Sequence, residues 1–287
     1  MHQGPDQTIH ILSPAKINLF LRVIGKRPDG YHELETLMCR ISLYDQITMR
    51  FTGERISVQC NLPEVPENET NLAYKAARLF MEECNASAGV VISIDKKIPV
   101  GAGLGGGSSN AAAVLSVLNR HFKYPFSEKQ LMIMGGRLGA DVPFFIFRKP
   151  AVATGIGEKL RPFSGLFPYH VLLIDPQIHV STAEVYNNLN LGLTKSEKKL
   201  KDSAANKDEF DVARHLKNDL ETVTERWHSE IGAAKQALLN QGAKGALMSG
   251  SGSAVFGLFS GEKDLQRAHD HLSGNKRWRF FIAKLIV

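Results

Sequence analysis

The amino-acid sequence predicts an α+β protein built as two domains. Strand-like segments cluster before residue 61 and only later mix with segments of helical periodicity, so strands and helices segregate rather than alternating as βαβ units. The chain has 287 residues, enough for one large or two ordinary domains, each with its own core. No internal repeat, proline-rich linker or low-complexity run interrupts it. The domains are expected at 1–157 and 158–287.

The elements follow in order. Apolar, β-branched alternation predicts strands at 8–12, 17–24, 35–42, 45–51 and 56–60. Leu72, Ala73, Ala76, Ala77, Phe80 and Met81 recur at helical spacing and predict a helix over 72–84. A strand at 90–95 leads into a glycine-rich segment. An alanine-rich helix over 110–119 follows, with Ser109 or Asn110 as its cap, and then a helix over 128–138. The second half predicts strands at 171–174, 245–248, 254–259 and 279–287. Its helices fall near 182–189, 211–227, 231–241 and 262–272.

Composition narrows the function. Hydrophobic residues make up 43% and charged residues 22%, which suits a soluble globular chain and excludes a disordered one. A net charge of +6 favours anionic ligands, and nucleotide phosphates satisfy it as well as nucleic acid does. The densest charge cluster, 195–217, interleaves seven basic with five acidic residues and reads as a solvated loop and helix face. Cys39, Cys60 and Cys84 are widely spaced and odd in number, which suits a reduced protein and excludes a disulfide framework or a cysteine zinc site. The ten histidines form no metal-ligand spacing. No signal segment and no apolar run of about 18 residues is present, so the expected location is the cytoplasm, with no membrane partner.

The segment Pro99-Val-Gly-Ala-Gly-Leu-Gly-Gly-Gly-Ser-Ser109 is the most informative part of the chain. It lies between a predicted strand and a predicted helix, where a flexible linker is out of place. Glycines without Cβ atoms let backbone N–H groups close on an anion, and a helix N-terminus adds unpaired donors and partial positive charge. It reads as a phosphate cradle. A Walker loop needs Gly-Lys-Ser/Thr, but Gly106 is followed by Gly107 and Ser108, so that reading fails. Gly101, Gly103 and Gly106 match the dinucleotide fingerprint, yet no Asp or Glu occurs from Ser108 to Ser127 to hold a ribose. The remaining reading is a kinase with its other catalytic parts elsewhere in the chain.

Three further segments carry polar groups inside apolar surroundings. Lys16 and Asn18 share one face of a strand, opposite Ile17 and Leu19; an edge position and a site position are both open. Asp141 stands alone in Gly139-Ala-Asp-Val-Pro-Phe-Phe145, either capping a short turn before Pro143 or poised for proton transfer. Ser249-Gly-Ser-Gly-Ser253, between two predicted strands, is either an ordinary hairpin or a second set of backbone donors.

In this order, Pro14-Ala-Lys-Ile-Asn18, the 99–109 segment and Ser249-Gly-Ser-Gly-Ser253 resemble the three motifs of the GHMP kinases, which phosphorylate small molecules. The segments at 27–38, 67–72, 139–144 and 180–186 are similar to a member of that family whose substrate is a cytidine-diphosphate-linked methylerythritol. The resemblance runs from about residue 9 to the last strand and is weakest over 194–227.

The resemblance implies an N-terminal domain like domain two of ribosomal protein S5 and a ferredoxin-like C-terminal domain. It implies transfer of the ATP γ-phosphoryl group to a hydroxyl of that substrate, in isoprenoid precursor synthesis. Asp141 is then the base and Lys16 its charge partner. ATP falls to Pro99, Val100, Gly101, Ala102, Gly103, Leu104, Gly105, Gly106, Gly107, Ser108 and Ser109, with Asn71 and Lys96 nearby and Mg²⁺ bridging the phosphates. Tyr31, His32 and Tyr186 match the cytidine pocket, and Asn18 and Thr182 the rest of the substrate. Without the resemblance, the two tyrosines read as core or rim aromatics. No nucleic-acid partner is expected, because basic residues and stacking aromatics do not cluster on one face; a monomer or weak homodimer is.

Overall fold

The computed structural model describes residues 7–190 and 211–287. Its contacts group the chain into two units. One comprises Met1–Ala15, Tyr44–Val100 and Gly105–Arg148; the other comprises Lys16–Leu43, Gly101–Leu104 and Lys149–Val287. The units are interleaved in sequence, because strands β1 (Gln7–Lys26) and β2 (His32–Phe51) each contribute to both.

In the first unit, β4 (Val90–Asp95) pairs antiparallel with the end of β2, from Gln46↔Asp95 to Arg50↔Val91. On its other side it pairs parallel with β3 (Ile56–Cys60). Helices α1 (Leu72–Cys84), α2 (Gly106–His121), α3 (Glu128–Leu138) and α4 (Val142–Phe147) complete this unit, with α1 on α2 and α3, and α2 on α4. The helix α1 forms because Asn71 accepts from Ala73 N at its start, while Ala73, Ala76, Ala77, Phe80 and Met81 line one buried stripe. Full burial of Phe80, edge-on to Phe126 at 5.3 Å, contributes roughly 1.5–3 kcal/mol. A capping box between Ser127 and Gln130 opens α3.

In the second unit, β5 (Ala151–Gly155) pairs antiparallel with the start of β2 and with β6 (Lys159–Pro162). Four further strands form an antiparallel set in the order β11 (Arg279–Ile286), β7 (His170–Asp175), β10 (Val255–Phe259), β9 (Gly245–Met248). Helix α8 (Ser229–Asn240) packs on β9 and β10, and α9 (Glu262–Leu272) on β7 and β10. The chain order β7, helices, β9, β10, α9, β11 is the ferredoxin-like βαββαβ path. Central strands buried on both faces read as continuous apolar runs, as Val171–Ile174 and Val255–Phe259 do. The α+β expectation holds.

Several local expectations are corrected. The breaks expected near 13–16 and 43–44 do not occur; β1 and β2 run on through them. Polar residues at these joins are buried: Ser13 Oγ donates to Ser109 Oγ at 2.7 Å, and Asp45 has no exposed surface. Helix α2 begins at Gly106, capped by left-handed Gly105, so Ser109 and Asn110 lie inside it rather than capping it. The helix expected over 211–227 is broken into α6 (Val212–His215), β8 (Lys217–Asn218) and α7 (Glu221–Trp227). Asn218 Nδ2 donates to the carbonyls of Met248 and Gly250 at 2.9 and 2.7 Å, and Asp219 accepts from Val23 N at 2.9 Å. Such side-chain bonds compete with helix. The charged segment at 195–217 lies mostly outside the described residues. α5 (Thr182–Asn187) is shorter than expected, and α4, β5 and β6 were not expected. Cys39 is a core thiol, pushed by burial up to about 12 and therefore unreactive. No described helix is long and apolar enough to cross a membrane.

Candidate active site

Gly105 adopts φ +69° and ends the glycine segment, turning the chain into the 16-residue α2. The first-turn amides of Gly106, Gly107 and Ser108 have no intrahelical acceptor by geometry, and no acidic residue stands in that turn. The helix start thus presents unpaired donors and a partial positive charge, worth about 0.3–1 kcal/mol toward an anion at an exposed position. Gly101 and Gly103 also have positive φ, at +67° and +76°. Pro99 to Ser109 thus form a largely backbone-lined segment in which Pro99, Val100, Ala102 and Leu104 carry apolar side chains, all of them buried except Val100.

Two of the glycines are constrained by packing. A Cβ on Gly103 would lie 2.0 Å from Ser249 O, and one on Gly106 would lie 2.8 Å from Lys96 Nζ. Gly107 differs: a Cβ there meets only Leu72 Cδ1, at an ordinary 3.6 Å. Gly107→Val is therefore expected to fold with an unchanged melting temperature while its branched side chain covers the first-turn amides. Titration with MgATP should show at least tenfold weaker binding, and an unchanged affinity would reject the cradle.

The turn at 249–253 is a hairpin between antiparallel β9 and β10, and it also packs on the glycine segment. Ser249 Oγ donates to Gly103 O at 2.9 Å, and Ala254 N donates to Ala102 O at 3.2 Å. Thr224 Oγ1 donates to Ser251 O at 3.1 Å, and Thr182 Oγ1 pairs with Ser251 Oγ at 2.7 Å. Thr182, just after the α5 cap Ser181, is thereby joined to the serine turn.

Lys16 and Asn18 sit together, as the strand alternation predicts. Both are buried in the second unit, Lys16 Nζ donating to Asn18 Oδ1 at 2.6 Å. Asn18 Nδ2 donates to Thr36 Oγ1 at 2.8 Å, and Thr36 Oγ1 donates to Phe20 O at 2.6 Å. The edge reading of Lys16 is excluded by its burial. Lys16 N also donates to Leu104 O at 2.9 Å, which ties the lysine to the end of the glycine segment. Thr36 was missed, though it showed the same signal as Asn18, a polar residue in an apolar strand.

Asp141 is half-buried in the first unit, at the N-cap position of α4. Its side chain makes no capping bond to the α4 backbone. Asn71 is committed at both ends of its amide, accepting from Ala73 N at 2.8 Å and donating to Pro66 O at 2.7 Å. Lys96 is buried against Asp45, with Nζ to Oδ2 at 2.6 Å.

The aromatic residues occupy the second unit. Tyr31 projects from a tight turn in which Arg27 N donates to Tyr31 O at 2.7 Å, Tyr31 N donates to Asp29 Oδ1 at 3.1 Å and Gly30 takes φ +87°. Its ring is 61% exposed, so it is not a core aromatic. Next to it, buried His32 stacks on Tyr186, with ring centroids 5.1 Å apart and planes at 27°. Tyr186 is itself packed from α5 against the core cluster around Val185 and Val180. Burial, reinforced by the positive charge of Lys26, lowers the His32 pKa, so the imidazole is neutral at pH 7 and offers one donor and one acceptor. His179 was also missed: its exposed imidazole lies beside Gly101, Nδ1 being 3.5 Å from where a Cβ would stand.

The glycine-headed helix, the Lys16–Asn18 pair and a ferredoxin-like second half agree with the features that the resemblance to the GHMP kinases implies. The GHMP kinases N terminal domain matches residues 71–149, and the GHMP kinases C terminal domain matches 200–276. A 4-diphosphocytidyl-2-C-methyl-D-erythritol kinase from Syntrophotalea carbinolica is 49% identical over 271 residues, covering 94% of this chain and 96% of the relative. One from Syntrophus aciditrophicus is 44% identical and covers 97% and 99%. A crystal structure of 4-(cytidine 5'-diphospho)-2C-methyl-D-erythritol kinase aligns with TM-score 0.81 at 35% identity, covering 96% and 99%. A homoserine kinase from Cytophaga hutchinsonii shares the fold, with TM-score 0.74 at 17% identity over 100% of this chain and 97% of that one. The chain belongs to the 4-diphosphocytidyl-2-C-methyl-D-erythritol kinase family.

Proposed function

We propose that the protein transfers the γ-phosphoryl group of ATP to the 2-hydroxyl of 4-diphosphocytidyl-2-C-methyl-D-erythritol, giving the 2-phosphate and ADP in the non-mevalonate isoprenoid route. The observation that carries this reading is 49% identity over nearly the full length of a relative bearing that name. The stacked His32–Tyr186 pair beside exposed Tyr31 supports the choice of a substrate with a base.

In the reaction, a bond forms between the substrate oxygen and the γ-phosphorus, and the bond from that phosphorus to the β,γ-bridging oxygen breaks. Asp141 accepts the hydroxyl proton. The Lys16 ammonium offsets charge on the transferring group, and Asn18 orients Lys16 through their 2.6 Å bond. The backbone from Pro99 to Ser109 holds the phosphates, with Asn71 and Lys96 shaping the segments on either side. Tyr31, His32 and Tyr186 hold the cytosine, and Thr182 orients the diphosphate side of the substrate.

When bound with ATP, Mg²⁺ would supply charge neutralisation to the phosphates, and the Ser108 hydroxyl would be an oxygen ligand for it; the first turn of α2 has no carboxylate to compete with phosphate for its amides. The two kinase domains are assigned to 1–157 and 158–287. The protein acts in the cytoplasm as a monomer or weak homodimer.

A coupled ADP-release assay over a substrate panel tests the whole reading. ADP should be released with the cytidylylated methylerythritol and negligibly with mevalonate, homoserine or galactose. Turnover of one of those three instead would replace the substrate and keep the kinase.

A further inference from the structure

We infer that Asp45 is a positioning residue for the nucleotide, holding both flanks of the glycine segment on a single carboxylate. The inference rests on reading 99–109 as the phosphate cradle. Asp45 lies in β2, in the first unit, with no exposed surface. A carboxylate so buried requires full pairing, and this one has it. Oδ1 accepts from Lys97 N and Ile98 N, both at 2.9 Å. Oδ2 accepts from Lys96 Nζ at 2.6 Å and from Asn110 Nδ2 at 2.9 Å.

The donors have a common logic in sequence. Lys97 and Ile98 are the residues just before Pro99, and Asn110 is the residue just after Ser109. The entry and exit of the glycine segment therefore converge on the two oxygens of one group. A second strap reinforces the exit: Asn110 Nδ2 also donates to Ser13 Oγ at 3.1 Å, and Ser13 Oγ donates to Ser109 Oγ at 2.7 Å. Lys96 closes the arrangement from below, its Nζ lying where a Cβ on Gly106 would meet it at 2.8 Å.

Stability alone is a poor reason for such a group. A buried ion pair gains little net stability over apolar residues of the same volume. A planar carboxylate does something an apolar pair does not: it fixes two backbone amides and one helix side chain at set separations. Those separations determine where the first-turn amides of α2 stand relative to the strand end, and so where phosphates are held. Loosening them should weaken nucleotide binding selectively, because phosphate contacts depend on position to within about half an ångström.

The test uses two variants, a control and titration with the magnesium salt of a non-hydrolysable ATP analogue. Asn110→Leu leaves Asp45 three of its four donors, keeps the Lys96 pair and so retains the fold; Asp45→Asn removes the charge itself. Each should weaken analogue binding at least tenfold and raise KM for ATP in parallel, while KM for the second substrate stays within threefold. Phe126→Ala, which deletes the edge contact to Phe80, supplies an unrelated loss of melting temperature in the same unit and should leave analogue binding within threefold. Binding within threefold of the parent in Asn110→Leu, or an equal loss in Phe126→Ala, overturns the inference. A parent protein that does not bind the analogue overturns the cradle reading beneath it, a result distinct from either.

Discussion

Asp141→Asn is expected to fold, bind MgATP with unchanged affinity and turn over at least a hundredfold more slowly. Asp141 stands at the N-cap position of α4 with backbone angles of −84° and −14°, and its side chain makes no capping bond to the helix. Pro143 near the start of that six-residue helix fixes the local backbone independently. Asparagine keeps the shape of the side chain and one acceptor oxygen, and it removes the negative charge that takes the hydroxyl proton. General-base contributions span about 10²–10⁴ in rate. The loss should appear in kcat, with KM for ATP within threefold and the melting temperature within a few degrees. Turnover within threefold of the parent would take Asp141 out of the mechanism and leave positioning and charge to carry the transfer.

How much of this was legible in the sequence depends on the range of the interaction concerned. The strand at 90–95 and the helices over 72–84 and 128–138 are local patterns, and the structure places them at those bounds. The pairing of Lys16 with Asn18 follows from strand alternation alone. Local patterns fail where a polar residue has partners distant in sequence. The strands were expected to break at 13–16 and 43–44, yet Ser13 and Asp45 are each buried in a network whose other members are about 50 to 97 residues away. Asn218 and Asp219 hid inside a helical pattern and instead reach Met248, Gly250 and Val23. The same limit applies to the glycines: sequence gives their conformational freedom, whereas the contact of Gly103 with Ser249 exists only after folding. A polar residue in an apolar segment thus signals a distant partner as often as a turn, and periodicity does not name that partner.

The aromatic residues give the second large effect, and the structure decides which substitutions report it cleanly. Tyr186 is packed against the core, so truncation to alanine would confuse lost packing with lost stacking. Tyr186→Leu keeps apolar bulk and removes the aromatic face; Tyr31→Ala alters a ring that is 61% exposed and should leave the melting temperature unchanged. A base stacked on an aromatic ring is worth about 1–3 kcal/mol, so each variant should raise KM for the cytidylylated substrate by roughly fivefold to a hundredfold. KM for ATP should stay within threefold in both. His32 adds a pH signature. Its pKa is lowered by burial and by Lys26, so it is neutral at pH 7 and gains a proton only below the ordinary histidine range. The imidazole then loses its acceptor and brings a second positive charge next to Lys26. KM for the cytidylylated substrate should accordingly be flat from pH 7 to 8 and rise only on the acid side of the ordinary histidine value, and His32→Gln should abolish that rise. Unchanged KM in Tyr31→Ala and Tyr186→Leu, together with a pH profile that survives His32→Gln, would leave a GHMP kinase whose acceptor carries no stacked base.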